Sequence, residues 1–275
     1  PLTLKLIRKF HYKPLKMVTV PPQPSYALCV CAYNEEAVIE DKIKNIQQMK
    51  AIIPNLEVLF YVDCASDRTA EILQAHRDEF FVHVASERHG KTYGMNLLVA
   101  KANADIVVFS DANVMLDSKS VLNLAKYFAD DAVGCVCGHL IYVNTETTET
   151  SANGSLYWKL EEWIKQLETD TGSLMGADGS IFAVRRALHV PPPANMIDDM
   201  FVSFSILCNG HRIVRAQDVI AYEESVTVAR EEFRRKVRIA CQALNVHRLL
   251  WPRLKTLPWI ELYKYISHKL VRWFT

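Results

Sequence analysis

The chain has 275 residues, half of them hydrophobic, which is enough to build a sizeable core without staples and allows one large α/β domain or two small ones. Seven cysteines, odd in number and several of them inside apolar runs, exclude a disulfide framework and point to a reducing compartment. The net charge of +1 is polarised, with +5 on residues 1–34, +5 on residues 247–275 and −9 on the body between them; this argues against nucleic acid as a partner and for a body held against an anionic membrane surface.

Leu2–Phe10 alternates apolar and basic residues and is expected to lie along a membrane interface; Pro14 and Pro21-Pro22-Gln23-Pro24 then make a stiff linker. Tyr26–Ala32 reads as the first strand, ending in Tyr33-Asn34-Glu35-Glu36 and followed by a helix to about Met49. A second strand, Leu56–Val62, ends in Asp63-Cys64-Ala65-Ser66-Asp67; helix Arg68–His76, strand Phe80–Ala85 and helix Lys91–Ala102 follow. The stretch Ile106–Asn113 is a strand buried on both faces that stops in Ser110, Asp111 and Asn113. This rhythm means βαβ units and a mostly parallel sheet with helices on both faces. Right-handed crossovers bring the acidic strand ends at Glu35, Asp63 and Asp111 to one edge, where ligands of open α/β sheets sit. A carboxylate at Asp111 with the amide oxygen of Asn113 suits Mg²⁺ or Mn²⁺ holding phosphate oxygens, although a helix-capping role for Asp111 explains the residue equally well.

A β-rich run, Val133–Val143, leads through the polar loop 144–150 to a helix over roughly Gly154–Thr169, whose stripe Leu156, Leu160, Trp163, Ile164 and Leu167 is expected to face the core. The glycine-punctuated loop Gly172–Gly179 holds Asp178, and Ser180–Val184 returns as a strand. Pro191-Pro192-Pro193 delivers Asp198-Asp199, which opens a helix through Cys208; one Asp suffices as a cap, and the second asks for another reason. Glu231–Leu250 is helical, with Phe233, Val237, Cys241 and Leu244 expected on its buried side. Arg235, Arg238 and Gln242 share a face that would suit a diphosphate, while Glu231–Arg235 and Glu232–Lys236 also read as helix ion pairs. Trp259–Phe274 has the aromatic and basic make-up of an interfacial helix. No apolar run reaches the roughly 18–20 residues of a spanning helix, so such helices are expected beyond the two ends of the chain.

Other motifs compete. Ala85-Ser86-Glu87-Arg88-His89-Gly90-Lys91-Thr92 is one glycine short of a P-loop, which keeps an NTPase open. A non-catalytic, membrane-docked nucleotide-binding module is a further alternative. Asn153-Gly154-Ser155 is a glycosylation sequon, relevant only on an extracytoplasmic face. Neither a dinucleotide fingerprint after the first strand nor a nucleophile elbow is present.

Several motifs in order resemble the GT-A, family-two inverting glycosyltransferases, in particular the membrane-embedded group of cellulose and hyaluronan synthases. Ala32-Tyr33-Asn34-Glu35 is similar to the opening Pro-x-Tyr-Asn-Glu, and Val62–Asp67 to Asp-Asp-Gly-Ser-x-Asp. Gly90-Lys91 with Met95-Asn96 resembles Gly-Lys-x-x-x-(Leu/Met)-Asn, and Asp111-Ala112-Asn113 stands at the Asp-x-Asp metal motif. Asp198-Asp199 resembles the acceptor-side Glu-Asp pair, and Arg235–Ile239 stands where Gln-x-x-Arg-Trp would, with Arg238 on the phosphate-binding arginine and Ile239 in place of the tryptophan.

The resemblance implies a GT-A, Rossmann-like nucleotide-sugar-binding domain over 25–228, with a donor half at 25–143 and an acceptor half at 144–228. Residues 1–24 would be a basic interfacial segment and linker, and 229–275 amphipathic interface helices. It implies sugar transfer with inversion from a UDP-sugar to a hydroxyl of a glycan or lipid, at the cytoplasmic face of a membrane. Asp199 would be the base. Tyr33, Glu35, Asp63, Lys91 and Asp111 would bind the nucleotide, and Arg235 and Arg238 the diphosphate. Asp178, Gly179 and Asp198 would line the acceptor path, with Mg²⁺ or Mn²⁺ on Asp111 and Asn113.

Overall fold

The computed structural model describes residues 1–16, 23–143, 150–194, 196–224 and 229–271, with the side chains of 150–158 and 229–235 left undescribed. In chain order the elements are α1 (Leu2–Phe10), β1 (Tyr26–Ala32), α2 (Ile39–Ile52), β2 (Glu57–Val62), α3 (Thr69–Gln74), β3 (Phe81–Val84), α4 (Lys91–Lys101), β4 (Ile106–Asp111) and β5 (Met115–Leu116). Then follow α5 (Ser120–Phe128), β6 (Val133–Tyr142), α6 (Thr150–Asp170), β7 (Ile181–Arg185), α7 (Asp198–Cys208), β8 (Arg212–Glu223), α8 (Ala229–Leu254) and α9 (Trp259–Lys264).

The eight strands form one sheet in the order β3-β2-β1-β4-β7-β6-β8-β5. Strands β1 to β4 pair in parallel, as their runs of apolar residues on both faces require. On one face Leu28, Val30, Phe60 and Val108 pack against α2, α3 and α5. On the other, Cys29, Leu59, Tyr61 and Phe109 pack against α4, α7 and α8. Cys29, Cys135 and Cys137 are buried core residues, as strand neighbours two apart should be. β7 is reversed: it pairs antiparallel with both β4 and β6, with Ser110 opposite Ile181.

The structure corrects several expectations. β8 is a twelve-residue strand in a region to which the sequence pattern assigns no element. Its charges mask it, because Arg215 is buried there against the Glu162 carboxylate. In α6, Leu160 and Trp163 are exposed, while the buried side carries Lys165, Leu167 and Glu168. In α8, Val237, Cys241 and Leu244 are exposed, and Ala243, Val246, Leu250 and Leu254 are buried instead. That helix carries two apolar stripes, and packing on α7 selects the second. After α9 a π-helical turn, Tyr265–Leu270, buries Tyr265; Lys264 is also fully buried, so this face docks on the domain, while Trp259, Ile266 and Val271 are exposed. The linker residues 17–22, the loop 144–149 and Arg272–Thr275 lie outside the described residues. No described helix is long and apolar enough to cross a membrane.

Candidate active site

The parallel half of the sheet brings three strand ends to one edge. The loops after β1 and β2 are stitched together: Ser66 N–H donates to Asn34 Oδ1 at 2.8 Å, Glu35 N–H to Thr69 Oγ1 at 2.8 Å and Glu36 N–H to Asp67 Oδ2 at 3.0 Å. Asn34 and Cys64 both sit at positive φ, 54° and 52°, a cost of order 1 kcal/mol each that this lattice of bonds sustains. Asp63 is buried at the floor of the pair. Burial alone would raise its pKa, but N–H groups of His89 (2.8 Å) and Gly90 (3.1 Å) and the Arg88 guanidinium (3.0 Å) hold the carboxyl below the usual range. Arg88 in turn lies 3.5 Å over the Tyr33 ring, a cation–π contact. Asp63 thus occupies the amides of His89 and Gly90 that a phosphate-cradling loop would need, which removes the P-loop reading.

Gly90, at φ 85°, starts α4, and Lys91 on its first turn reaches Asp111 Oδ1 at 2.6 Å and Asp198 Oδ2 at 3.7 Å. Burial opposes the charge of Lys91, yet the carboxylates of Asp111 and Asp198 outweigh it and raise its pKa. The same helix holds the proline loop: Thr92 Oγ1 donates to Met196 O at 3.1 Å and Asn96 Nδ2 to Pro192 O at 2.9 Å. One helix therefore sets both the lysine at the strand ends and the segment that delivers Asp198 and Asp199. Glu35 belongs to the same field; burial first, then Asp111 and Asp67, raises its pKa.

Asp199 stands on the far side of this group, in a cleft of about 310 Å³ lined in part by Leu140, Tyr142, Asp178, Gly179, Met200 and Ile239. A Cβ on Gly179 would come within 3.0 Å of Asp199 Oδ2, so glycine there leaves the carboxylate open to the cleft. Loss of solvent and the neighbouring Asp198 charge push Asp199 up to about 7, despite Lys91 and a 2.5 Å bond from Met200 N–H. Asp178 is held by Lys165 at 2.6 Å, and Lys165 also meets Glu162 at 3.1 Å.

Lys91, Asp111, Asp198, Asp199 and Gly179 are thus brought together, with Tyr33, Glu35 and Asp63 along the same edge. Arg238 is exposed on α8, and the Arg235 side chain and the Glu231 and Glu232 pairs lie outside the described residues. Three nearby residues escape the motif analysis. Arg88 lies inside the near-P-loop; Lys269 borders the cleft; and buried Glu223 accepts from Asn113 Nδ2 at 3.2 Å and from Ser180 Oγ at 3.5 Å. Glu223 ends the charge-interrupted β8, so periodicity carries no signal for it.

Among the described residues no group of three or more His, Cys, Asp or Glu could hold a metal by itself. The donor set nevertheless fits a hard divalent ion that draws its remaining ligands from phosphates: the part-exposed Asp111 carboxylate, and Asn113 Oδ1, which the bond to Glu223 leaves unused. The buried Asp198 Oδ2, without a hydrogen bond and paired with Lys91 Nζ at 3.7 Å, adds negative charge on the other side of that lysine.

The strand order, the reversed β7 in the middle of the sheet and the carboxylate-lined edge define a GT-A domain. The glycosyl transferase family 2 pattern matches residues 27–190, more than half of the chain, and the chain belongs to that family. Among its relatives, the beta-monoglucosyldiacylglycerol synthase of Trichormus variabilis is 25% identical over 168 residues, covering 59% of this chain and 36% of its own. The hyaluronan synthase of Streptococcus pyogenes is 22% identical over 200 residues, covering 69% of this chain and 47% of its own. The chain therefore spans between about a third and a half of the length of these curated relatives. The fold is shared with the mannosyltransferase PcManGT from Pyrobaculum calidifontis, solved in complex with GDP-Man and Mn²⁺, with a TM-score of 0.76, 20% identity and coverage of 98% of this chain and 77% of that one.

Proposed function

We propose that this chain transfers a sugar from a nucleotide sugar to an acceptor hydroxyl, with inversion at the anomeric carbon, using Mg²⁺ or Mn²⁺. The observation that carries the reading is the placing of Lys91 between Asp111 and Asp198, with Asp199 next in the chain and open to its own cleft. Tyr33, Glu35 and Asp63 form the nucleoside side and Lys91 meets the diphosphate; Arg238, exposed on α8, and Arg235, whose side chain lies outside the described residues, are proposed as further diphosphate ligands. Asp199, with a proton affinity matched to neutral pH, takes the proton of the acceptor hydroxyl as general base. Asp178, Gly179 and Asp198 border the acceptor path. A divalent ion on Asp111 and Asn113 would neutralise the charge that gathers on the leaving diphosphate. The solved neighbour's GDP-Man and Mn²⁺ and the relatives' names support a nucleotide-sugar donor and a glycolipid or glycan acceptor; a UDP-sugar is the donor proposed for this chain.

The setting proposed is the cytoplasmic face of a membrane, where the seven unpaired cysteines stay reduced. α1 supports it: Leu2, Leu6 and Phe10, spaced by four, are exposed beside Lys5 and Lys9, with the exposed Trp259 near His11. α1 itself is fixed to the domain by Arg8 on Asp170 at 2.7 Å.

Thermal-shift screening of UDP- and GDP-sugars with and without Mn²⁺ tests this. A donor at a hundredfold over its Kd adds about 2.7 kcal/mol of stability. The metal-dependent part should vanish in Asp111→Ala. Stabilisation by no nucleotide sugar would refute the reading, and binding without transfer to any acceptor or water would leave a non-catalytic module.

A further inference from the structure

Lys42 has no place in the scheme above, yet it is fully buried in α2. Among the described residues no carboxylate stands at ion-pair distance from it. Burying an ammonium costs several kcal/mol unless its hydrogens are well used. Its Nζ donates to Ser110 Oγ at 3.0 Å and to Val114 O at 2.5 Å, the residues that bracket Asp111-Ala112-Asn113. One turn further along α2, Asn45 takes both polar groups of Leu116: Nδ2 donates to Leu116 O at 2.7 Å, and Leu116 N–H donates to Oδ1 at 2.9 Å. The turn is closed from within by Val114 N–H on Asp111 O at 3.3 Å. Helix α2 thus grips the loop before and after Asp111 and Asn113, and it begins just beyond the nucleoside loop 33–36.

We infer that Lys42 and Asn45 are positioning residues that hold the Asp111–Asn113 loop in the geometry that accepts a divalent cation, and so set cation affinity without touching it. The inference rests on the assignment of the cation to Asp111. The energetics make it separable from a merely structural role. Replacing Lys42 by Met forfeits two hydrogen bonds but also removes a buried charge, so global stability changes little while the loop loses its tether.

The test compares wild type, Lys42→Met, Asn45→Ala and the milder Ser110→Ala. Binding of Mn²⁺ is followed by electron paramagnetic resonance, and binding of UDP and GDP with and without Mn²⁺ by calorimetry. The expected result for Lys42→Met is a tenfold or greater loss of Mn²⁺ affinity and of the metal-dependent gain in nucleotide affinity. Metal-free nucleotide binding, held by loops 33–36 and 63–67, stays within twofold. Ser110→Ala should show a smaller loss in the same direction and serves if the other variants do not fold. Mn²⁺ affinity kept within twofold in folded variants overturns the inference, as does a parallel fall of metal-free binding. A wild type whose nucleotide binding ignores Mn²⁺ overturns the cation assignment itself and the inference with it, and that outcome is read before any variant is made.

Discussion

Asp199→Asn tests the base assignment through two opposite effects. In the folded protein the Asp199 carboxyl keeps its proton up to about pH 7, against an ordinary value near 3.8. At ~1.4 kcal/mol per pH unit, ionising it at neutral pH costs the folded state at most ~4 kcal/mol, and about 2 kcal/mol once solvent entering through the cleft is allowed for. The folded state binds the proton more tightly, so wild-type stability falls as pH rises from about 4 to 7 and is flat beyond. Asparagine removes that penalty, so the variant should melt several degrees higher at pH 7.5, with the gain gone at pH 4. Turnover moves the other way. Loss of a general base costs roughly 10²–10⁴-fold, and the wild-type rise in rate with pH through about 7 should flatten. The assay is release of nucleoside diphosphate from the donor found by thermal shift, from pH 5.5 to 8.5, beside calorimetric melting. Turnover within tenfold of wild type, or a wild-type rate independent of pH, would refute the assignment.

Lys91→Ala should weaken Mn²⁺-dependent donor binding by tenfold or more, since it removes the cation closest to the strand-end carboxylates; calorimetry with the donor checks this, and unchanged affinity rejects the role. Gly94→Ala places a methyl into the buried Tyr61 ring, so overpacking of roughly 1–3 kcal/mol should outweigh the helix-propensity gain of about 1 kcal/mol and lower the Tm. His268 is opposed by burial, but Glu161 (3.1 Å) and Glu168 (2.7 Å) bind both ring nitrogens and raise it to about 9. Its stabilisation is complete below about pH 6.5 and lost as pH rises through 9, so His268→Gln should lower the Tm at pH 6 and match wild type near pH 10. Leu6→Asp with Phe10→Asp should abolish co-sedimentation with vesicles containing anionic lipid while leaving donor binding intact.

The donor side of the fold is legible in the sequence because β1, β2 and β4 are runs of apolar residues that each end in an acid. Period and punctuation fix such strands, and topology then aligns their ends. The other side is not legible for the same physical reason. β8 carries Arg215, Gln217 and Asp218, and α6 turns Lys165 and Glu168 inward, so charges mutually neutralised in space read as solvated in sequence. α8 offers two stripes, and only the surface it meets decides between them. Lys42 reads as an ordinary helix lysine until Ser110 and Val114 are seen around it.

The reversal of β7 has a consequence for how such a chain can diversify. Because β7 runs against β4, it is the entry to β7, not its exit, that abuts Asp111: Ser110 faces Ile181, and Ser180 and Gly179 come just before it. Residues 176–179 therefore line the cleft beside Asp199 while belonging to neither β1, β2 nor β4. Insertions there can reshape what enters beside Asp199 without shifting a rung of the parallel ladder, whereas a one-residue slip inside β7 would turn its whole inner row outward. The opening beside Asp199 can thus change through loop length alone, with the ends of β1, β2 and β4 left as they are.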